Sequence, residues 1–352
     1  MKRCIVALAA ASLLGCATPV TEGPEVSIDA RNEEVRRQQE YVLGVRSAED
    51  ERFYRVAHRI SSANVELCRR RGMSIGATFE TIYDYSAQMR SAAKAVRGVS
   101  SAPQVAWLDE KGPAGAAGLR RGDVLLAVNG TPVAKGPKAG KSARGLLAAA
   151  LHGSQRLTIL RNGETINLDI AGKQVCGYPF YLVDGSDLNA TADGDVIRFY
   201  RGMLRFAQSD DEIALILGHE LAHNVMRHIQ KSQINRVAGA IGGALLDAAL
   251  GGDGDLAEIG ASIGDAAFSQ AFETEADYVG LYFAARAGYG ANEPEKLWRR
   301  MSTLDPSQIR KGSSHPPNAA RYLSLAATQR EIAEKKEAGQ PLLPRLKKDS
   351  PL

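Results

Sequence analysis

Nowhere in this 352-residue chain do eighteen or more apolar residues run together, so no segment reads as a transmembrane helix. A charge excess is also missing. The chain has 44 Lys and Arg against 40 Asp and Glu, a balance that leaves no electrostatic footprint for nucleic acid. Cysteine is scarce, with four in all. The length predicts two domains rather than one.

What is present at the N terminus is a short apolar run, residues 5–14, preceded by Lys2 and Arg3. It is too short to cross a bilayer and reads as a secretory signal. Leu13-Leu14-Gly15-Cys16 resembles a bacterial lipobox, which implies removal of residues 1–15 and acylation of Cys16. Ala17 follows; in enterobacterial lipoproteins a residue other than Asp there implies sorting to the outer membrane. The expected location is therefore the periplasm, with contact to the membrane through the lipid anchor only. Loss of Lys2 and Arg3 lowers the balance to 42 basic and 40 acidic residues. Cys4 leaves with the signal and Cys16 carries lipid. Cys68 and Cys176 then remain in an oxidising compartment and are expected to pair.

Residues 16–46 are expected to be a polar tether and a charged helix, followed at 47–94 by the first part of a larger domain. Ser47-Ala48-Glu49-Asp50 has capping-box-like spacing, and Phe53, Val56, Ala57, Ile60 and Leu67 then fall on one helical stripe. Arg69-Arg70-Arg71-Gly72 supplies cations for a last turn and glycine for the position after it. Residues 237–250 are apolar, short and glycine-rich, and predict tight helix packing.

Residues 112–133, GPAGAAGLRRGDVLLAVNGTPV, have a different texture. Gly122-Asp123 predicts a turn into a Val/Leu-rich strand and Asn129-Gly130 a tight turn out of it. A helix is expected near residues 142–151, then a hairpin around Asn162-Gly163. Gly112-Pro113-Ala114, Ala117-Gly118-Leu119, Gly122-Asp123-Val124-Leu125 and Asn129-Gly130 together resemble a PDZ domain of the bacterial protease type, over residues 95–172. The resemblance implies capture of peptide C-termini by strand addition, with residues 96–101 the expected carboxylate loop.

The remaining chemistry sits at HELAH, residues 219–223. Ser209-Asp210-Asp211-Glu212 has the spacing of a helix-opening capping box, and the helix is expected to run from 211 to 228. On it His219 and His223 lie one turn apart on one face, spaced to share a Zn²⁺ ion. Glu220 is placed to take a proton from water rather than to join the metal. A catalytic zinc needs a third protein ligand.

HELAH followed by Glu273-Thr274-Glu275-Ala276-Asp277 resembles the HtpX and CAAX-prenyl-protease type of zinc metallopeptidase, whose signature is H-E-x-x-H and then E-x-x-A-D. Asn189-Ala190, Arg201-Gly202-Met203-Leu204 and Ser314-His315-Pro316-Pro317 with Arg321 follow the family's order. The resemblance implies an α+β fold: a mainly helical zincin-type core with a small β-sheet at residues 173–330, interrupted by the PDZ-like segment. It makes Glu273 the third ligand of one Zn²⁺ and Asp277 an acceptor that orients a ligand histidine. Glu275 is expected off the metal and His228 to be a structural hydrogen bonder. His315 is either an oxyanion stabiliser or a displaceable fourth ligand. An edge strand near Asn189 and Ala190 is expected to hold substrate extended. Residues 331–352 are expected to be a flexible tail.

Cys68 ends the piece before the insertion and Cys176 opens the piece after it, so a bond between them would staple the insertion's two ends. The expected function is a zinc endopeptidase acting on unfolded or misassembled envelope proteins. A chaperone or assembly factor on the same fold is the rival reading.

Overall fold

A computed structural model describes residues 21, 23–150, 153–250, 255–290, 294–303 and 319–347. Of residues 150, 263–269, 319 and 320 it describes the backbone alone. The lipobox with Cys16 and the segment carrying His315 lie outside the described residues.

The chain begins with a long helix, α1 (Ile28–Ala63). The expected helix start at Ser47 is absent: the Ser47 hydroxyl donates to the Leu43 carbonyl, one turn back inside α1. Ser27 is the cap in fact, its side chain accepting from Ala30 N. The charged segment continues into the apolar stripe because Leu43 is buried with Ala92, Ala93 and Val99 in a small cluster of its own. The helix also ends early. Leu67 falls in a short 3-10 turn, and the Arg71-Gly72 pair expected to close the helix opens strand β1 (Arg71–Ser74) instead.

Strand β2 (Ala77–Glu80), helix α2 (Arg90–Arg97), strand β3 (Gln104–Leu108), helix α3 (Pro113–Ala116), strands β4 (Val124–Val128) and β5 (Thr131–Pro132), helix α4 (Ala139–Ala150) and strands β6 (Ser154–Arg161) and β7 (Glu164–Ala171) build the inserted domain. Its sheet has the order β2-β3-β4-β6-β7, with β5 on β4. Asn129-Gly130 and Asn162-Gly163 all have positive φ, as two-residue hairpin turns require. The sheet begins at Ala77, so the expected boundary at residue 95 falls inside α2. Residues 96–101 are not a free loop either: Val99 is buried and Ser100 O accepts from Ile82 N. Strand β2 is an edge strand of this sheet.

Strand β8 (Lys173–Cys176) returns antiparallel to β1, with Arg71 opposite Cys176 and Ser74 opposite Lys173. The inserted domain thus enters and leaves through one two-stranded ribbon. Cys68 and Cys176 are joined by a disulfide at its base, their Cα atoms 5.5 Å apart.

Strands β9 (Phe180–Val183), β10 (Ala190–Ala192) and β11 (Ile197–Tyr200) form a small sheet in the order β10-β11-β9. Helices α5 (Arg201–Phe206), α6 (Asp210–Val225), α7 (His228–Leu250), α8 (Asp255–Arg286), α9 (Glu295–Ser302) and α10 (Ala319–Glu337) complete the helical core. Phe53, Val56 and Ile60 of α1 share one buried cluster with Ile213, Leu217 and Leu221 of α6 and Tyr282 and Phe283 of α8. The inserted domain has a separate core around Leu125, Leu157 and Ile159.

Helices α7 and α8 pack tightly where glycine permits: a Cβ on Gly239 would lie 2.1 Å from Gly260 O. The expected flexible tail is ordered as far as residue 347. Helix α10 runs through the expected boundary at residue 330, and Leu342 then packs on the main core while its carbonyl accepts from Arg286.

Candidate metal centre

Helix α6 begins as the sequence predicts, with Ser209 Oγ accepting from Glu212 N. Only half of the capping box forms, because the Glu212 carboxylate turns to Gln208 N. The helix is buried on nearly every side from Ile213 onward, which fixes HELAH rigidly inside the core.

His219 and His223 turn their Nε2 atoms toward one point, 3.1 Å apart. Helix α8 brings Glu273 to the same point: its Oε2 lies 3.4 Å from His219 Nε2 and its Oε1 3.3 Å from His223 Nε2. These three buried side chains are the group that could hold a metal ion among the described residues. Two ring nitrogens and a carboxylate at tetrahedral zinc would be about 3.3 Å from one another, given bonds of about 2.0–2.1 Å. The donor set and its spacing therefore fit zinc.

Close approach of the two helices makes this possible. A Cβ on Gly218 would lie 2.4 Å from Gly280 O, and one on Gly280 would lie 2.6 Å from His219 N. Glycine at both positions lets α6 and α8 cross backbone to backbone, directly beside the first ligand.

Around the three ligands lies a layer of partners. Asp277 Oδ1 is 2.9 Å from His219 Nδ1. Arg321, from α10, pairs with Asp277 through two nitrogens and approaches Glu273 Oε2 at 3.2 Å. The Arg321 guanidinium lies over the Trp298 ring, 5.3 Å from its centroid, and the same indole packs on His219. His223 Nδ1 meets His228 Nδ1 at 3.0 Å, and His228 Nε2 meets Glu275 Oε2 at 2.8 Å. Glu275 is thus off the ligand set and belongs to His228.

The electrostatics favour a cation at the centre. Burial disfavours a charged His219, but the Asp277 and Glu273 carboxylates outweigh it and raise that imidazole to about 10. Burial pushes His223 down to about 4, and the charge on His219 adds to the push. Asp277 is held below the usual carboxylate range: Arg321 and His219 bond to it and overcome its burial.

Glu220, next to the first ligand, is 2 % exposed. Ala190 opens the edge strand β10, which packs against α6, and Asn189 O accepts from Tyr200 N. His315 lies outside the described residues. Arg321 and Trp298 are the partners whose contacts sequence spacing did not reveal, since α9 and α10 reach the site only in three dimensions, and the contact of Glu275 on α8 with His228 was not revealed either. For Arg321 its place after Ser314-His315-Pro316-Pro317 was the available signal.

Comparison with known proteins agrees with this geometry. Residues 162–329 match the model of peptidase family M48, and residues 104–161 match that of a PDZ domain. Over 150 residues the chain is 31% identical to the mitochondrial metalloendopeptidase OMA1 of Schizosaccharomyces pombe, covering 41% of this chain and 44% of that one. It is 32% identical over 127 residues to the beta-barrel assembly-enhancing protease of Yersinia pestis, covering 32% and 26%. The chain thus spans less than half the length of these relatives. A solved HtrA3 PDZ domain bound to a phage-derived ligand matches with 20% identity, covering 30% of this chain and 89% of that one at a TM-score of 0.23, too loose a likeness to carry weight. Residues 162–329 therefore match a metallopeptidase of family M48 and include His219, His223 and Glu273, the set that could hold its metal, in a chain whose residues 104–161 match a PDZ domain.

Proposed function

We propose that this protein is a zinc-dependent endopeptidase of the bacterial cell envelope that degrades misfolded or misassembled proteins. The observation that carries the reading is the buried convergence of His219, His223 and Glu273 with Glu220 beside them. Bound zinc supplies Lewis acidity toward a peptide carbonyl and a water molecule. His219, His223 and Glu273 hold the ion, and Asp277 fixes the His219 ring with Nε2 facing it. Glu220 takes the proton of the attacking water and passes it to the leaving amine. The free edge of β10 runs beside α6, and pairing there from Asn189-Ala190 onward would hold substrate extended across the site.

The PDZ domain captures extended peptide ends in this reading, adding them to the β2 edge. The envelope location rests on the signal-like N terminus and the lipobox at Cys16, which lead to lipid anchoring at the outer membrane. No helix among the described residues is long and apolar enough to cross a membrane. The name of the Yersinia relative, a protease that enhances beta-barrel assembly, supports an envelope substrate class.

The test is degradation of an unfolded model protein by the purified full-length chain beside its Glu220→Gln variant, both zinc-loaded. Cleavage by the wild type and loss of at least about a hundredfold in the variant is the expected result. Equal activity in both, or zinc uptake with no cleavage by either, would move the chaperone reading ahead.

A further inference from the structure

We propose that His228 and Glu275 form a relay that sets the tautomer of His223 and thereby its strength as a metal ligand. The inference deepens the metal-centre reading above and rests on it. His223 faces the cluster through Nε2, which leaves Nδ1 to carry the ring proton. That nitrogen is 3.0 Å from His228 Nδ1. Two nitrogen lone pairs cannot bond to each other, so His223 Nδ1–H donates and His228 Nδ1 accepts. His228 must then carry its own proton on Nε2, which is 2.8 Å from Glu275 Oε2 and donates to it. A metal at His223 Nε2 thus dictates every proton in the chain, and each donor meets an acceptor.

The backbone is shaped for this contact. In an unbroken helix a residue five places after His223 would sit about 140° around the axis from it. Helix α6 stops at Val225 instead, and Arg227 takes φ +59°, a left-handed conformation that a side chain as large as arginine seldom adopts. The new helix α7 starts at His228 and returns that ring to His223. Phe272, one residue before the third ligand, stacks on the His228 ring at 4.8 Å and 15°, which fixes its plane. The two ligand histidines are therefore supported differently: His219 by a carboxylate directly, His223 by a carboxylate through an imidazole.

The experiment is a zinc titration of the metal-stripped full-length chain against a chromophoric chelator, for the wild type, His228→Ala, Glu275→Gln and the double variant. His228→Ala is expected to weaken zinc binding about 10- to 100-fold. Glu275→Gln should act in the same direction and by less. The double variant should bind no worse than His228→Ala, because Glu275 acts through His228. Cobalt substitution supplies a signature that a purely structural role would not move: the visible absorption bands should shift in both single variants while the melting temperature of metal-free Glu275→Gln, whose side chain is partly exposed, stays put. If His228→Ala does not fold, Glu275→Gln decides alone, since Glu275 is 38% exposed. Unchanged affinity in the variants that fold overturns the relay, as does a fully additive double variant. A wild type that takes up no zinc overturns the metal reading and the relay together.

Discussion

Arg321 grips Asp277 with two hydrogen bonds, Nε to Oδ2 at 2.6 Å and Nη2 to Oδ1 at 2.8 Å, and both side chains are almost wholly buried. Asp277 in turn holds His219, and the third guanidinium nitrogen reaches Glu273. One side chain on α10 therefore steadies ligands on both α6 and α8. Arg321→Ala leaves two carboxylates buried without their cation and is expected to cost about 3–5 kcal/mol of stability. Lysine in its place keeps the charge but lacks the planar fork, so Arg321→Lys should recover only part of that loss. Urea unfolding of the metal-free variants measures both; an Arg321→Ala midpoint equal to wild type would remove Arg321 from this role.

The crossing of α6 and α8 makes a second prediction. Gly280 has no room for a methyl group, which would press on His219 N at 2.6 Å. The neighbour is backbone within a buried helix, so relief requires the helices to part. Gly280→Ala should therefore destabilise the fold by about 1–3 kcal/mol or more and weaken zinc binding, since Glu273 and His219 would separate. An equal change at Gly288, which has open space around it, should leave zinc binding intact although its positive φ makes alanine strained. Isothermal titration of both variants with zinc separates the two effects, and tight zinc binding by Gly280→Ala would show that the crossing tolerates a wider spacing.

Features coded within one turn of the chain were legible. HELAH, the Ser209 cap and the Asn-Gly turns each depend on neighbours a few residues away, and each forms where its spacing places it. The fold class was legible too, because the motifs of a helical peptidase and of a β-rich insertion succeed one another in order. What sequence periodicity missed was decided by distant partners. Ser47 has the look of a cap, yet burial of Leu43 against α2 carries the helix through it. Arg71-Gly72 resembles a helix end, yet pairing with residues a hundred positions later makes it a strand. The break at Arg227 leaves no signature at all, since arginine is an ordinary helix former, and on an unbroken helix His228 would point away from the site.

Where the inserted domain rests on α1, a histidine meets an aspartate. His58 Nδ1 lies 3.1 Å from Asp109 Oδ2, and the ring packs on Trp107. Burial lowers the pKa of His58 from 6.5, and Asp109 only partly offsets it. The folded protein therefore refuses a proton that the unfolded chain accepts. Its contribution to stability is complete above pH 6.5 and is lost as the pH falls through the lowered folded value. Melting temperatures from pH 7.5 down to pH 5.5 should fall more steeply for the wild type than for His58→Gln. Parallel curves would mean that His58 titrates alike in both states.

The disulfide at the foot of the insertion makes the last prediction. Cys68 and Cys176 are 108 residues apart in sequence, and cross-linking a loop of that length would restrict an unfolded chain by an amount worth about 4.7 kcal/mol. That figure assumes that the whole loop is disordered in the unfolded state. The inserted domain has its own core, and its ends already meet in the β1–β8 ribbon. If it stays folded while the peptidase domain melts, it closes most of the loop by itself, and the bond has little entropy left to remove. Removing the bond in Cys68→Ala/Cys176→Ala should then cost clearly less than the full-loop value, about 2 kcal/mol. Calorimetry of wild type and variant should show the peptidase transition lowered and the PDZ transition unmoved. A loss near the full-loop value would mean that the two domains unfold as one unit, and two alkylatable thiols in a tryptic digest made without reductant would mean that the bond does not form.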